Sequence, residues 1–92
     1  MKATAKHLLV QTEEECQRIK SDIAEGKITF EEAAKKYSLC PSGARGGDLG
    51  SFSQGQMVPE FDKVVFNEEL HTVHGPVKTQ FGYHLLEITS RG

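Results

Sequence analysis

The sequence has no tryptophan, only three prolines and two cysteines, and a net charge of −2 in 92 residues. Small secreted scaffolds usually carry several disulfide bridges, so Cys16 and Cys40 are predicted to be free thiols. Without a basic stripe we expect no nucleic-acid partner. No apolar run approaches the ~20 residues of a membrane span, and the first residues lack the apolar stretch of a signal peptide. We therefore expect no membrane contact and a cytoplasmic location.

The overall composition is that of a small folded domain. Hydrophobic residues make up 37% and charged residues 26% of the chain, and both signs of charge are interspersed. These fractions are typical of a globular protein rather than a disordered or fibrous one. A chain of this length can bury one core and has no room for a second domain. We predict one domain over residues 1–92 and, by default, a monomer.

Apolar periodicity and capping signals predict the element order β-α-α-β-α-β-β, an α+β fold. Thr12 and Thr29 are each followed three residues later by glutamate, the capping-box pattern of a helix start. The glycines between residues 38 and 50 predict a structured loop. The predicted helices are 13–25, 30–37 and one beginning at Pro59. The predicted strands are 5–10, 48–52, a short edge strand after a turn at 75–77, and 83–89.

Three polar side chains stand in apolar surroundings: His7 in the first strand, Cys40 at the start of the loop, and His84 in the last strand. If those strands are neighbours, the two imidazoles can face each other and satisfy their hydrogen bonds without charge. They fit equally well as ordinary buried histidines. A Cys–His nucleophile is disfavoured because neither a protease signature nor a charged neighbour flanks Cys40. A zinc site is disfavoured because the cysteines and histidines of the chain do not occur in a C-x-x-C or H-x-x-x-H spacing.

Large apolar residues gather around the glycine-rich loop: Leu49, Phe52, Met57, Phe61 and Phe81. They are compatible with an ordinary core. Met57 also suits a surface that accepts varied shapes, because its side chain is flexible and polarisable. Phe81 lies in a turn-like segment, where a buried ring is unusual. A core and a binding pocket both remain open from the pattern alone.

Five segments, taken in order, carry a family resemblance: His7–Val10, Tyr37–Gly43, Arg45–Gly50, Gly55–Phe61 and Thr79–His84. They resemble the parvulin-type peptidyl-prolyl cis/trans isomerases, in particular the small members that consist of the catalytic domain alone. The resemblance implies a four-stranded antiparallel sheet surrounded by helices, in the order β-α3-β-α-β2. It also implies an isomerase that needs no cofactor or metal and assists protein folding. Its partners would be proline-containing unfolded or extended polypeptides.

The resemblance further implies roles for individual residues. His7 and His84 would form a hydrogen-bonded pair beneath the site, in a network with Cys40, which acts as a polar group and not as a nucleophile. These three are the implied catalytic residues. The implied proline pocket consists of Leu49, Met57 and Phe61, with Phe81 and Thr79 on its rim or just behind it.

One departure from the family narrows the substrate. Phosphate-directed parvulins carry a longer basic loop after the first strand, whereas here residues 13–15 are three glutamates. They would repel a phosphate dianion, so we expect no preference for phosphorylated Ser/Thr-Pro and a tolerant site favouring apolar residues before proline. The main alternative is a parvulin-fold chaperone module that binds peptides with little turnover. A weaker third is a redox role for Cys40. The intact set of site residues favours catalysis.

Overall fold

The computed structural model describes residues 2–92 and contains one four-stranded antiparallel sheet. Its strands are β1 (Lys2–Val10), β2 (Asp48–Ser53), β3 (Val73–Thr79) and β4 (Gly82–Arg91), in the spatial order β2-β1-β4-β3. Helices α1 (Glu13–Ala24) and α2 (Phe30–Tyr37) and a 3-10 helix (Pro41–Arg45) precede β2, and α3 (Pro59–Val65) follows it. The predicted fold class and order of elements are confirmed.

Both predicted helix starts are confirmed at the level of single hydrogen bonds. The Thr12 hydroxyl accepts the Glu15 N–H at 3.2 Å. Thr29 forms the complete capping box with Glu32: its hydroxyl accepts the Glu32 N–H at 3.1 Å, and its own N–H donates to the Glu32 carboxylate at 3.0 Å. Such a cap contributes about 1 kcal/mol. The sequence therefore sets these boundaries locally.

The strands are longer than predicted. β1 begins at Lys2 and not at residue 5, and β3 begins at Val73, so that Gly75 and Pro76 lie inside a strand and not in a turn before it. Proline is tolerated there because β3 is an edge strand, where one side of the backbone has no ladder partner. The pairing of β3 with β4 is irregular between His74 and Val77, which accommodates the ring.

Helices cover both faces of the sheet because side chains of a strand alternate between faces. Leu8 and Val10 of β1 join the cluster formed with α1 and α2. Ala3 and Ala5 point the other way and join the cluster that includes Val65 of α3. His7 lies two residues after Ala5 in β1 and therefore on the same face as Ala5. The candidate site is therefore built on the face that carries α3.

Both cysteines are free thiols, as predicted; Cys16 is buried in the core and Cys40 is half-buried. In the part of the chain that the structure describes, no helix is long and apolar enough to span a membrane.

Candidate active site

A cavity of about 310 Å³ lies on the α3 face of the sheet, and its wall is almost wholly apolar. No Asp, Glu, Lys or Arg side chain lines it. The lining residues are His7, Leu9, Cys40, Leu49, Met57, Val58, Phe61, Phe81 and His84. The structure thus brings together seven of the eight residues that the family resemblance assigned to the site, the exception being Thr79.

The sheet register explains why the polar members of this set meet. His7 and Leu9 are two residues apart in β1 and so share a face. His84 of β4 lies opposite Leu9 in the antiparallel pairing, which places its ring on the same face. From α3, Phe61 packs its ring against both imidazoles, with centroids 5.5 Å from His7 and 4.6 Å from His84 and nearly perpendicular planes at the second contact. Phe61 forms the junction between the apolar wall and the histidines.

The two histidines form a buried, neutral pair. Their Nδ1 atoms are 3.3 Å apart, the planes of their rings differ by only 19°, and each residue is only 4% exposed. Burial lowers the pKa of His7 to about 4. Burial also lowers the pKa of His84 to about 4, with a further contribution from the neighbouring His7. Both rings are therefore uncharged at pH 7, because protonation would place a cation in a buried site whose cavity no carboxylate lines.

Each imidazole is also bonded through its other nitrogen. His7 Nε2 lies 3.0 Å from the Ser42 hydroxyl, and His84 Nε2 lies 2.7 Å from the Thr79 hydroxyl. A neutral imidazole donates from one nitrogen and accepts at the other. The hydrogen bonds must therefore run in one direction along the whole chain Ser42–His7–His84–Thr79, or in the reverse direction. Within residues 2–92 no buried side-chain polar atom lacks a partner.

This hydrogen-bonded chain corrects the predicted Cys40–His7–His84 network. Cys40 lines the cavity, but in the described part of the chain its thiol makes no hydrogen bond to either imidazole. Ser42, two residues further on, takes that place because the 3-10 helix turns its hydroxyl towards His7.

Thr79 lies just behind the apolar cavity, which is one of the two positions that the resemblance implied for it. It is 7% exposed and does not line the apolar cavity. Its hydroxyl is bonded to His84 and accepts the Phe81 N–H at 3.1 Å. Thr79 is therefore a positioning residue for His84 and for the turn that carries Phe81, and it does not line the apolar cavity.

Three residues of the site were not identified from the sequence. Leu9 could have been found, because its spacing of two from His7 in a strand places it on the same face. Ser42 and Val58 carry no such signal, since their positions depend on the path of the 3-10 helix and of the segment before α3. No group of three or more His, Cys, Asp or Glu side chains within residues 2–92 is arranged to hold a metal ion.

An antiparallel α+β domain with an apolar cavity above a buried histidine pair defines a protein of the parvulin class. Residues 2–90 match the Rotamase family model, described as a PPIC-type PPIase domain, and the chain belongs to this family. The resemblance seen in the sequence is confirmed.

Individual relatives agree with the family assignment. The chain is 43% identical over 86 residues to foldase protein PrsA 1 of Bacillus cereus, an alignment that covers 92% of this chain and 30% of that protein. The crystal structure of the peptidylprolyl isomerase PrsA from Bacillus anthracis superposes with a TM-score of 0.91 at 37% identity, covering 96% of this chain and 41% of that one. The solution structure of NmPin, the parvulin of Nitrosopumilus maritimus, gives a TM-score of 0.85 at 31% identity, covering 97% of this chain and 96% of that one. The chain spans about 30% of the length of the curated foldase.

Proposed function

We propose that this domain accelerates cis/trans isomerisation of Xaa-Pro bonds in polypeptides and thereby assists protein folding. The observation that carries the proposal is the apolar cavity of about 310 Å³ next to two neutral histidines. A proline ring is apolar and compact, and a cavity without charged side chains suits it. The family to which residues 2–90 belong supports the same activity.

Isomerisation of an Xaa-Pro bond requires an apolar environment around the peptide bond and no covalent step. Rotation about a peptide bond faces a barrier of ~18–20 kcal/mol because resonance holds the bond planar, and uncatalysed X–Pro isomerisation takes tens of seconds or longer. The twisted amide has lost that resonance and has a smaller dipole, so an apolar site that excludes water favours it over the planar ground state. Lowering the barrier by about 4 kcal/mol accelerates the reaction about a thousandfold.

The cavity supplies the two parts of such an environment. Leu49, Met57 and Phe61 lie around the space where the pyrrolidine ring would bind. The Cys40 thiol and the histidine pair form the more polar side of the wall, where the proline carbonyl or the preceding carbonyl would lie. In this proposal Cys40 acts as a weakly polar contact and not as a nucleophile, and the histidines fix the local polarity.

The charges near the cavity favour substrates without phosphate. No lysine or arginine lines the cavity, so a phosphoserine before proline would find no cation in its wall. Glu13, Glu14 and Glu15 lie in the first turn of α1, shortly after β1 leaves the site. We propose a tolerant isomerase that prefers apolar residues before proline.

Two-dimensional NMR exchange on short Xaa-Pro peptides tests this function directly, with Ala, Leu, Glu or phosphoserine before proline. We expect faster exchange for the Leu and Ala peptides and little or none for phosphoserine. Acceleration restricted to phosphoserine would contradict the proposed substrate class.

A pair of exposed apolar residues provides a matched test of the cavity. Phe81 is 62% exposed and lines it, whereas Leu70 is 37% exposed and does not. Phe81→Ala should lower kcat/KM about tenfold, equivalent to about 1.4 kcal/mol of lost transition-state contact. Leu70→Ala should leave the rate unchanged. Equal effects of the two substitutions would show that the cavity is not the site of turnover.

A peptide-binding chaperone module is the second candidate. It is favoured by the exposed apolar side chains of Leu39 and Phe81, 58% and 62% exposed, at the end of the sheet where the cavity lies. The Leu39 N–H donates to the carbonyl of Leu9, a residue that lines the cavity. Chemical-shift changes at Met57 and Phe61 without faster exchange on any peptide would support this candidate against the isomerase.

Three narrower predictions remain. A cytoplasmic location is tested by cell fractionation with an antibody against the chain. A monomer is tested by light scattering after size-exclusion chromatography. Independent folding of residues 1–92 is tested by a cooperative thermal transition of the chain alone, and a broad, non-cooperative transition would contradict it.

A further inference from the structure

A second cavity adjoins the apolar one. It has a volume of about 270 Å³ and is lined by Val58, Pro59, Glu60, Thr79 and Gln80. Val58 belongs to the walls of both cavities. Thr79 connects them as well, because its hydroxyl is bonded to His84 of the first cavity. Consecutive Cα atoms of a peptide are 3.8 Å apart, so a side chain next to a bound proline can reach across Val58 into the second cavity.

The second cavity differs from the first in carrying a carboxylate. Glu60 is the one charged side chain in its lining, and it is exposed. In the described part of the chain, Glu60 takes part in neither of the two ion pairs, which join Lys6 to Glu31 and Lys27 to Glu25. The basic residues nearest to it in sequence on the two bordering elements are Lys63 and Lys78, and neither forms an ion pair with its carboxylate in the described part of the chain. Its charge is therefore available to a ligand.

We propose that this second cavity binds a lysine or arginine side chain of the substrate at a position adjacent to the proline, with Glu60 as the specificity-determining residue. The inference rests on the proposed isomerase function. The aliphatic stem of a long basic side chain would pack against Val58 and Pro59 while its charged end pairs with the carboxylate. Gln80 offers an additional hydrogen-bond acceptor. A glutamate or a phosphorylated residue at the same position is repelled.

The expected effect is modest because Glu60 is exposed. Ion pairs of this kind alter an equilibrium by about two- to fivefold at low salt. We expect the same two- to fivefold range for the effect of Glu60 on kcat/KM. Raising the ionic strength from about 0.01 M to about 1 M shortens the Debye length from about 30 Å to about 3 Å, so the preference should largely disappear. A preference caused only by the apolar stem would survive the salt.

The test uses the whole chain and NMR exchange on peptides that carry Lys, norleucine or Glu immediately before or immediately after proline. At one of the two positions, the Lys peptide should be isomerised two- to fivefold faster than the norleucine peptide, and the Glu peptide more slowly. Glu60→Gln should abolish that difference. Glu68→Gln is the matched control: Glu68 is an exposed glutamate after α3 that lines neither cavity, and this variant should keep the preference.

The outcomes separate the inference from the function on which it rests. Equal rates for Lys and norleucine at both positions, or an undiminished Lys preference in Glu60→Gln, would overturn the role of Glu60 while the isomerase stands. No acceleration of any peptide, norleucine included, would overturn the isomerase function itself. A Lys preference lost equally in Glu68→Gln would show a general effect of net charge and would also overturn the proposed site.

Discussion

The histidine pair should make the stability of the fold depend on pH in a window where few other groups titrate. His7 and His84 have pKa values of about 4 in the folded chain and about 6.5 when the chain is unfolded. Between these values the unfolded chain binds more protons than the folded one. Stability is therefore fully present above about pH 6.5 and decreases as the pH falls towards 4.

The size of the effect follows from the same values. Between pH 7 and pH 5, each histidine contributes a loss of about 2 kcal/mol and the pair about 4 kcal/mol. A domain of this length has a total stability of about 5–15 kcal/mol, so the loss is a large part of it. Carboxylates such as Glu31, whose pKa is lowered by its bond to Lys6, add a loss of the same sign only below about pH 5.

Urea unfolding at pH 7, 6 and 5 measures this dependence. With a denaturant slope of about 1–2 kcal/mol per molar urea, the midpoint should fall by about 2 M or more between pH 7 and pH 5. The variant His7→Gln should retain about half of the difference, because one buried histidine remains. His71→Asn is the control: His71 is exposed, and asparagine tolerates its left-handed backbone (φ 60°). This control should keep the full difference.

Two results would refute the reasoning. A change below about 1 kcal/mol in the wild type would mean that the buried rings are charged or solvated at pH 5. An equal pH dependence in His7→Gln and in the wild type would mean that other groups cause it.

Three further predictions concern the site and its support. Gly47→Ala would place a Cβ 2.2 Å from the carbonyl oxygen of His7 at φ +84°, and we expect thermal unfolding to show a loss of more than about 2 kcal/mol in stability. Gly55→Ala, at φ +88° with open space around it, should cost only about 1 kcal/mol of stability. Equal losses for the two variants would contradict a steric cause. Thr79→Val should lower stability by about 1–3 kcal/mol because it leaves His84 Nε2 without a partner. Thr79→Ser keeps a hydroxyl and should retain most of the wild-type stability in the same assay. The pH profile of kcat/KM should be flat between pH 6 and 8, and a transition near pH 6.5 would show that a histidine proton takes part.

Much of this site could be predicted because strand periodicity is a local property. Once β1 and β4 are recognised as neighbouring strands, the alternation of side chains places His7 and His84 on one face and Leu8 and Leu85 on the other. The helix starts at Thr12 and Thr29 are equally local. The alternation within each strand and the helix starts need only residues close together in the sequence, whereas the meeting of His7 with His84, 77 residues apart, was implied by the family resemblance.

The features that could not be predicted depend on contacts between distant segments. Ser42 reaches His7 only because the 3-10 helix packs against α2 and β1, and no residue pattern reports that path. The extent of β3 was missed because Gly75-Pro76 is a turn signal that an edge strand can tolerate. The second cavity arises where the start of α3 meets the turn after β3, so Glu60 has no signal in its own neighbourhood.

The hydrogen bonds of the histidine pair limit what it can contribute to catalysis. All four ring nitrogens already have partners: each Nδ1 faces the other, and the two Nε2 atoms are bonded to Ser42 and Thr79. A substrate carbonyl could bond to either imidazole only by breaking one of these bonds, which would leave a buried polar group unpaired at a cost of about 1–3 kcal/mol. The pair therefore acts through fixed position and neutral charge, and the acceleration must come from the apolar wall that Phe61 joins to it.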